Sequence, residues 1–286
     1  MPPKTSSPYL TAGEIRSLAQ AAELHPSKSK GQNFVIDQNT VKKIVTVAGV
    51  TADDHVLEVG PGFGSLTVGL LDTECEVTAV EIDPRLARLL PATVEGKLPG
   101  ARFSVIEDDA LKLTEVPPGV TALVANLPYN VAVPVLIHLL EIHSGFHRVL
   151  VMVQAEVGWR LAAKPGTEHY GAPSVKVAWW GEWAVESAIS RRVFWPEPRV
   201  DSVLVGMRQG EPPGSEGLRR MVFHLVDEGF RSRRKMSRQS LSAVWGGAGE
   251  ASRQIELAGL DPESRCETWS LDDFIALASR MEETAR

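Results

Sequence analysis

The sequence predicts an α/β chain, with a mainly parallel sheet covered by helices and a small all-helical region at the C-terminal end. Three observations carry this reading. Strand-like and helix-like segments alternate from His55 to Val153. The strand segments are nearly continuous apolar runs rich in β-branched residues, as strands buried on both faces require. Beyond Gly210 the strand signal stops and helical periodicity alone remains.

Thr11 to Leu24 reads as a helix, with Ile15, Leu18, Ala19 and Ala22 on one face. His25 to Gly31 is a basic loop, and Asp37 can cap a second helix reaching about Ala48. Strands are expected at His55–Val59, Glu76–Val80, Arg102–Ile106, Thr121–Ala125 and Arg148–Val153. Helices are expected between them at Ser65–Leu71, Pro84–Leu90 and Val133–Ile142. Trp183–Ile189 and Ser202–Met207 extend the sheet at one side, separated by the Pro-rich Phe194 to Pro198. Gln209 to Gly217 reads as a linker. Four helices follow, at Leu218–Asp227, Lys235–Val244, Ser252–Leu257 and Leu271–Met281. Two domains result: residues 1–209, with a helical extension over 1–50, and residues 210–286.

The 286 residues are 43% hydrophobic and 23% charged, ordinary values for a chain that buries a sizeable core. No apolar run approaches the roughly 18 residues a membrane helix needs. The first ten residues hold no apolar signal region. Cys75 and Cys266 lie far apart and in no metal spacing, which excludes a disulfide framework or a zinc module. A cytoplasmic, metal-free monomer with reduced thiols is expected. Net charge is −6, yet it is unevenly spread. Thr51 to Val120 holds thirteen acidic and five basic residues, whereas Ile189 to Ser240 holds eleven basic and six acidic ones. Such asymmetry can set a basic docking face beside an acidic cofactor site, or be no more than a patchy solvated surface.

The run Val56-Leu57-Glu58-Val59-Gly60-Pro61-Gly62-Phe63-Gly64 takes an apolar strand directly into glycines and then a helix. Glycines there permit a tight turn and close approach of backbone to ligand. The dinucleotide fingerprint is G-x-G-x-x-G; this chain has G-x-G-x-G, and Pro61 removes a backbone donor. A ligand without phosphates suits that turn better than a nicotinamide dinucleotide. Glu81 closes the next strand and can accept hydrogen bonds from both hydroxyls of a ribose. Asp109 ends the third strand, where an acceptor could meet the exocyclic amine of an adenine. A glycine turn, a ribose acceptor and a base acceptor together fit S-adenosylmethionine, whose positive charge the carboxylates also suit.

Asn126-Leu127-Pro128-Tyr129 follows the fourth strand. An amine on an aromatic ring is a poor nucleophile because its lone pair is delocalised. The Asn126 side chain and the Leu127 carbonyl could hold its two N–H groups and favour the pyramidal form that attacks a methyl group. Pro128 fixes the turn, and Tyr129 offers a face on which a target base can stack.

With these motifs in order, the chain resembles the rRNA adenine N6,N6-dimethyltransferases, closest to the bacterial small-subunit enzymes. The resemblance covers nearly the whole chain. It runs through Lys28-Ser29-Lys30-Gly31-Gln32-Asn33-Phe34-Val35, where Lys30 and Val35 depart mildly from the family pattern. It takes in Leu57–Gly64, Glu81, Asp109 and Asn126–Asn130. It resumes at Phe194–Ser202 and at Phe230 with Arg233-Arg234-Lys235.

The resemblance implies a Rossmann-like S-adenosylmethionine-dependent methyltransferase domain and a helical rRNA-binding domain. It implies that Asn33, Val35, Gly60, Glu81, Asp109 and Asn126 line the cofactor site. It also implies that Asn126, Leu127 and Tyr129 form the methyl-acceptor pocket and that Phe194 supports the flipped base. The activity implied is dimethylation of two adjacent adenosines near the 3′ end of 16S rRNA, on a precursor of the small (30S) subunit. Alternatives are a macrolide-resistance-type 23S rRNA enzyme, an assembly factor with little catalysis and, more distantly, a nicotinamide dehydrogenase. The densest basic run is Arg231, Arg233, Arg234, Lys235 and Arg238. On a helix, Arg231, Arg234, Lys235 and Arg238 would share one face toward RNA phosphates, with Arg191 and Arg192 extending the footprint.

Overall fold

The computed structural model describes residues 7–26 and 32–285. The basic loop residues Lys28, Ser29, Lys30 and Gly31 lie outside them. The chain divides into two compact units: residues 1–158 with 184–209, and residues 159–183 with 210–286.

The first unit opens with α1 (Ala12–Ala21), whose N-cap Thr11 and Glu14 form a capping box. Lys97 Nζ lies 2.6 Å from Glu14 Oε1. The two-residue strand β1 (Phe34–Val35) leads into α2 (Gln38–Ala48), capped as expected by Asp37, whose Oδ1 accepts the Thr40 N–H at 2.7 Å. Then come β2 (His55–Val59), α3 (Ser65–Leu71), β3 (Glu76–Glu81), α4 (Pro84–Lys97) and β4 (Phe103–Glu107). They are followed by β5 (Ala122–Asn126), α5 (Ala132–Ile142) and β6 (Arg148–Gln154). Helix α4 runs past the stop expected at Pro91, because Thr93 and Val94 continue the face that Leu86, Ala87 and Leu90 bury.

The main sheet has seven strands in the order β4-β3-β2-β5-β6-β9-β7, with β7 at Gly181–Ile189 and β9 at Ser202–Gln209. Strands β2 to β6 pair in parallel, and β9 joins β6 antiparallel. Five parallel strands need crossover helices, which is why strand and helix alternate in the sequence. Val41, Ile44, Val45 and Ala48 of α2 pack on Val56, Val77 and Val124 of the sheet. Consecutive strands β2 and β3 lie on one side of the switch and β5 on the other, so the chain reverses its direction of winding beside β2. A crevice opens at the carboxyl ends of strands at such a point. A separate pair joins β1 to β8 (Phe194–Trp195), with Val35 opposite Phe194. Two-residue strands carry no periodicity, so the sequence gives no sign of them.

The second unit holds α7 (Ala172–Val177), α8 (Glu216–Phe230), α9 (Ser237–Ser240), α10 (Ala248–Leu257) and α11 (Leu271–Ala285). Helix α6 (Ala155–Leu161) straddles its first boundary. An aromatic cluster fills it: Trp269–Phe274 at 5.4 Å, Trp180–Phe223 at 5.7 Å and Tyr170–Phe230 at 6.0 Å. Residues 159–183 supply Tyr170 and Trp180, which is why this segment joins the helical unit although it precedes Gly210 in sequence. A single boundary at Gly210 therefore misses the first two of three crossings, after residue 158 and after residue 183.

The expected helix Lys235–Val244 is replaced by turns and the single-turn α9. Turns at residues 231–234 and 241–246 flank it on either side. Arg231 instead ends α8, its N–H bonding Asp227 and Glu228 carbonyls. The shared helical face expected of Arg231, Arg234, Lys235 and Arg238 does not exist.

Candidate functional site

A cavity of about 680 Å³ opens at the carboxyl ends of β2, β3 and β5. It brings together Asn33, Val35, Gly60, Glu81, Asp109, Asn126, Leu127 and Tyr129. The glycine turn forms its floor. Gly60 and Gly62 have φ of +70° and +60°, a region that side-chain-bearing residues avoid. A Cβ at Gly62 would also meet the Phe34 ring at 2.7 Å. The turn therefore keeps this backbone bare against the space a ligand would fill.

Glu81 ends β3 and is 5% exposed. Its Oε2 accepts the Gly62 N–H at 3.2 Å and its Oε1 the Asp83 N–H at 2.9 Å. The carboxylate thus ties the glycine turn to the start of α4. Desolvation pushes its pKa up, against those two backbone donors. Asp109 lies two residues beyond the end of β4, not on it; its Oδ1 accepts the Leu111 N–H at 3.0 Å.

Asn126 ends β5, and its Nδ2 donates to the Asn33 carbonyl at 3.1 Å. Among the described residues no donor reaches Asn126 Oδ1, which is left as an acceptor. Leu127 is buried, its N–H bonded to the Met152 carbonyl at 3.1 Å. The Tyr129 hydroxyl lies 2.7 Å from Ser202 Oγ, on a wholly buried residue of β9.

Phe194 is not part of this cavity. It is 3% exposed and packs in the core with Val35 and Leu204, the outcome its position opposite Val35 dictates. The structure places Phe194 in the core, beside the cavity-lining Val35, and not on the cavity wall itself.

Sequence reasoning passed over three residues here. Glu58, in the middle of an apolar strand, is 1% exposed and lines the cavity. Burial pushes its pKa up to about 8, even though the Thr67 hydroxyl donates to its Oε2 at 2.6 Å. A lone acid inside Val-Leu-Glu-Val was the available signal. Ile82 is 66% exposed beside Glu81, an apolar surface on the cavity rim. Ser202 carried no signal, since its contact with Tyr129 spans 73 positions.

The charged residues lining the cavity are Glu58, Glu81, Asp83, Asp108, Asp109 and Arg85. Arg85 is tied to Asp83 at 2.7 Å. With Glu58 holding its proton and Asp83 spent on Arg85, the carboxyl groups of Glu81, Asp108 and Asp109 remain, and they favour a cationic ligand and oppose a pyrophosphate. The residues present therefore fit S-adenosylmethionine and do not fit a nicotinamide dinucleotide. Among the described residues no group of His, Cys, Asp and Glu could hold a metal ion, and no helix is long and apolar enough to cross a membrane.

The cations expected to meet RNA divide into two kinds. Arg233 is exposed but bonded within the helical unit: its Nη2 donates to the Tyr170 carbonyl at 2.9 Å and its Nε lies 3.3 Å from Glu267. Arg231 pairs with Glu228 at 2.8 Å and Arg238 with Glu263 at 3.4 Å. Arg191 pairs with Glu197 at 3.0 Å. Arg192, Arg234 and Lys235 are exposed and form no ion pair among the described residues.

A glycine turn, a carboxylate closing the second parallel strand and an acidic crevice at the switch point define a Rossmann-like methyltransferase. The family model for ribosomal RNA adenine dimethylase matches residues 25–283, and the chain belongs to that family. A relative from Leifsonia xyli, a ribosomal RNA small subunit methyltransferase A, is 53% identical over 95% of this chain and 98% of its own length. One of the same description from Thermobifida fusca is 52% identical over 94% of this chain and 95% of its own. Among solved structures, a dimethyladenosine transferase from Plasmodium falciparum shares the fold at a TM-score of 0.74. It is 23% identical over 87% of this chain and 97% of its own. The 23S rRNA methyltransferase ErmE is 25% identical, with a TM-score of 0.65 over 87% of this chain and 100% of its own.

Proposed function

We propose that this protein transfers methyl groups from S-adenosylmethionine to the N6 atoms of two adjacent adenosines near the 3′ end of 16S rRNA, in a precursor of the small subunit. The observation that carries the chemistry is the orientation of Asn126. Because Nδ2 is committed to the Asn33 carbonyl, Oδ1 remains to accept an N–H. The carbonyl of Leu127 is the second acceptor on the same turn. Two acceptors on one amino group draw its hydrogens out of the base plane and localise its lone pair. Tyr129, pinned through Ser202, presents its ring to the flipped base. Glu81 holds the ribose, Asp109 the adenine amine, and the bare Gly60 turn the remainder of the cofactor, with Asn33 and Val35 closing the site. When bound, S-adenosylmethionine supplies an electrophilic methyl group beside that amine.

The 16S target is favoured over 23S rRNA by the relatives. Those named for the small subunit are about half identical to this chain, while ErmE is 25% identical. Arg192, Arg234 and Lys235 are the cations free to meet phosphates.

Purified protein and labelled cofactor, given in parallel small-subunit particles from a strain lacking the enzyme and unmodified 23S rRNA, test the reading. Label should enter two adjacent adenosines, and primer extension should stop there, since N6,N6-dimethyladenosine cannot pair. Label confined to 23S rRNA, or absent from both, would overturn it.

A further inference from the structure

We infer that Trp159 and His169, in the helical unit, form a stacking platform for an unpaired RNA base outside the methyl-transfer cavity. Their rings lie 5.4 Å apart with planes 34° from parallel, and Trp159 is 47% exposed. Neither lines the cavity. An isolated exposed Trp needs no explanation, but a held pair of rings does.

The segment carrying His169 is fixed from several sides. The Arg233 guanidinium donates to the carbonyls on both sides of His169, Glu168 at 3.4 Å and Tyr170 at 2.9 Å. The Tyr170 hydroxyl donates to the Trp269 carbonyl at 2.7 Å. Gly166 N–H bonds the Glu267 carbonyl at 2.9 Å, and Thr167 Oγ1 donates to the Lys164 carbonyl at 2.7 Å. The His169 ring is therefore presented by a set backbone, so a ligand need not pay to order that backbone. Arg233 thus helps to position His169.

The surroundings select the ligand. Lys164 is exposed and has no ion pair among the described residues. From 162 to 169 the chain offers no large exposed apolar side chain, and its exposed charged residues are Lys164 and Glu168. A flat aromatic face with a free cation in the same short segment matches a nucleobase and its phosphate, the combination single-stranded RNA binders use. The commitment to RNA rests on the proposed rRNA substrate.

The test uses the full chain with small-subunit particles from a strain lacking the enzyme. Trp159→Ala should weaken particle binding about five- to a hundredfold, the range for losing one stacked base. Trp159→Phe should recover most of that loss, and cofactor affinity by calorimetry should stay unchanged in both. A benzophenone amino acid placed at 159 should cross-link to rRNA. Equal binding by wild type and Trp159→Ala, or a cross-link to ribosomal protein alone, overturns the platform. If wild type modifies another RNA and ignores small-subunit particles, the proposed function fails. The same variants on that other RNA then decide the platform separately.

Discussion

Asn126 Nδ2 donates to the backbone carbonyl of Asn33 at 3.1 Å, joining the end of the fourth parallel strand to the segment that enters α2. This one bond sets which end of the amide is free to accept. It also gives Asn33 a role through its backbone, so its side chain need not touch the substrate.

Asn126→Ala should therefore cut single-turnover methyl transfer by about a hundredfold. Losing a donor or acceptor that acts mainly in the transition state costs on that order. Cofactor affinity should fall far less. Transfer within a few-fold of wild type, with the variant folded, would remove Asn126 from the acceptor pair.

Ser202 offers a milder test of the same pocket. Ser202→Ala removes the partner of the Tyr129 hydroxyl, a partly buried bond at 2.7 Å. We expect a loss of roughly 1 kcal/mol in stability, and a fall in kcat for methyl transfer with little change in KM for the particle. Tyr129→Phe should mimic it, since the ring face remains. Tyr129→Ala should be far worse, because stacking is lost as well. Equal turnover by the Phe and Ala variants would show that the ring face does not hold the base.

Glu81→Ala should weaken S-adenosylmethionine binding about tenfold or more, as hydrogen bonds to a charged acceptor are lost. The structure adds a second consequence. The N–H groups of Gly62 and Asp83 would lose their acceptor, so the melting temperature should fall too. Calorimetry and thermal denaturation of the same preparation separate the two effects. Unchanged affinity in a folded variant would exclude Glu81 as the ribose ligand.

Glu58 makes a pH prediction with a definite sign. Its pKa is raised from about 4.5 to about 8 by burial, so the folded state holds a proton that the unfolded chain releases. The stability this group contributes is full below about pH 4.5 and is lost as pH rises through about 8. Glu58→Gln keeps an acceptor for Thr67 and never ionises. The melting temperature of Glu58→Gln relative to wild type should climb between pH 5 and pH 8 and then level off. A difference that stays flat across that range would place the Glu58 pKa near its ordinary value.

The legibility of this protein in its sequence followed the physics of each signal. Strand β2 and helix α3 match their expected limits because buried parallel strands are apolar throughout and the glycine turn marks the junction. The cavity residues were readable because strand ends, not long-range contacts, place Glu81 and Asn126. What escaped depended on partners distant in sequence. Phe194 is held in the core by its position opposite Val35. Tyr170, Glu168 and Glu267 capture Arg233, and nothing in the run Arg231 to Lys235 reveals that. Charge density alone cannot separate a cation aimed at phosphate from one consumed by the fold.

That separation gives the last prediction. Arg234 and Lys235 are exposed and without ion pairs among the described residues, while Arg233 bonds two backbone carbonyls and Glu267. Charge reversal at Arg234 and Lys235 should weaken particle binding and flatten its salt dependence. Each lost phosphate contact should lower the log–log salt slope by roughly 0.7 to 0.9. Arg233→Ala should behave differently. It strips the Glu168 and Tyr170 carbonyls of a donor and should lower the melting temperature, with little direct change in the salt slope. Binding measured across a salt series, with melting curves as the companion, distinguishes the two classes. If Arg233→Ala flattened the slope as much as the double reversal while leaving the melting temperature unchanged, Arg233 would belong with the phosphate contacts. Its bonds to the 168–170 backbone would then contribute nothing measurable to the fold.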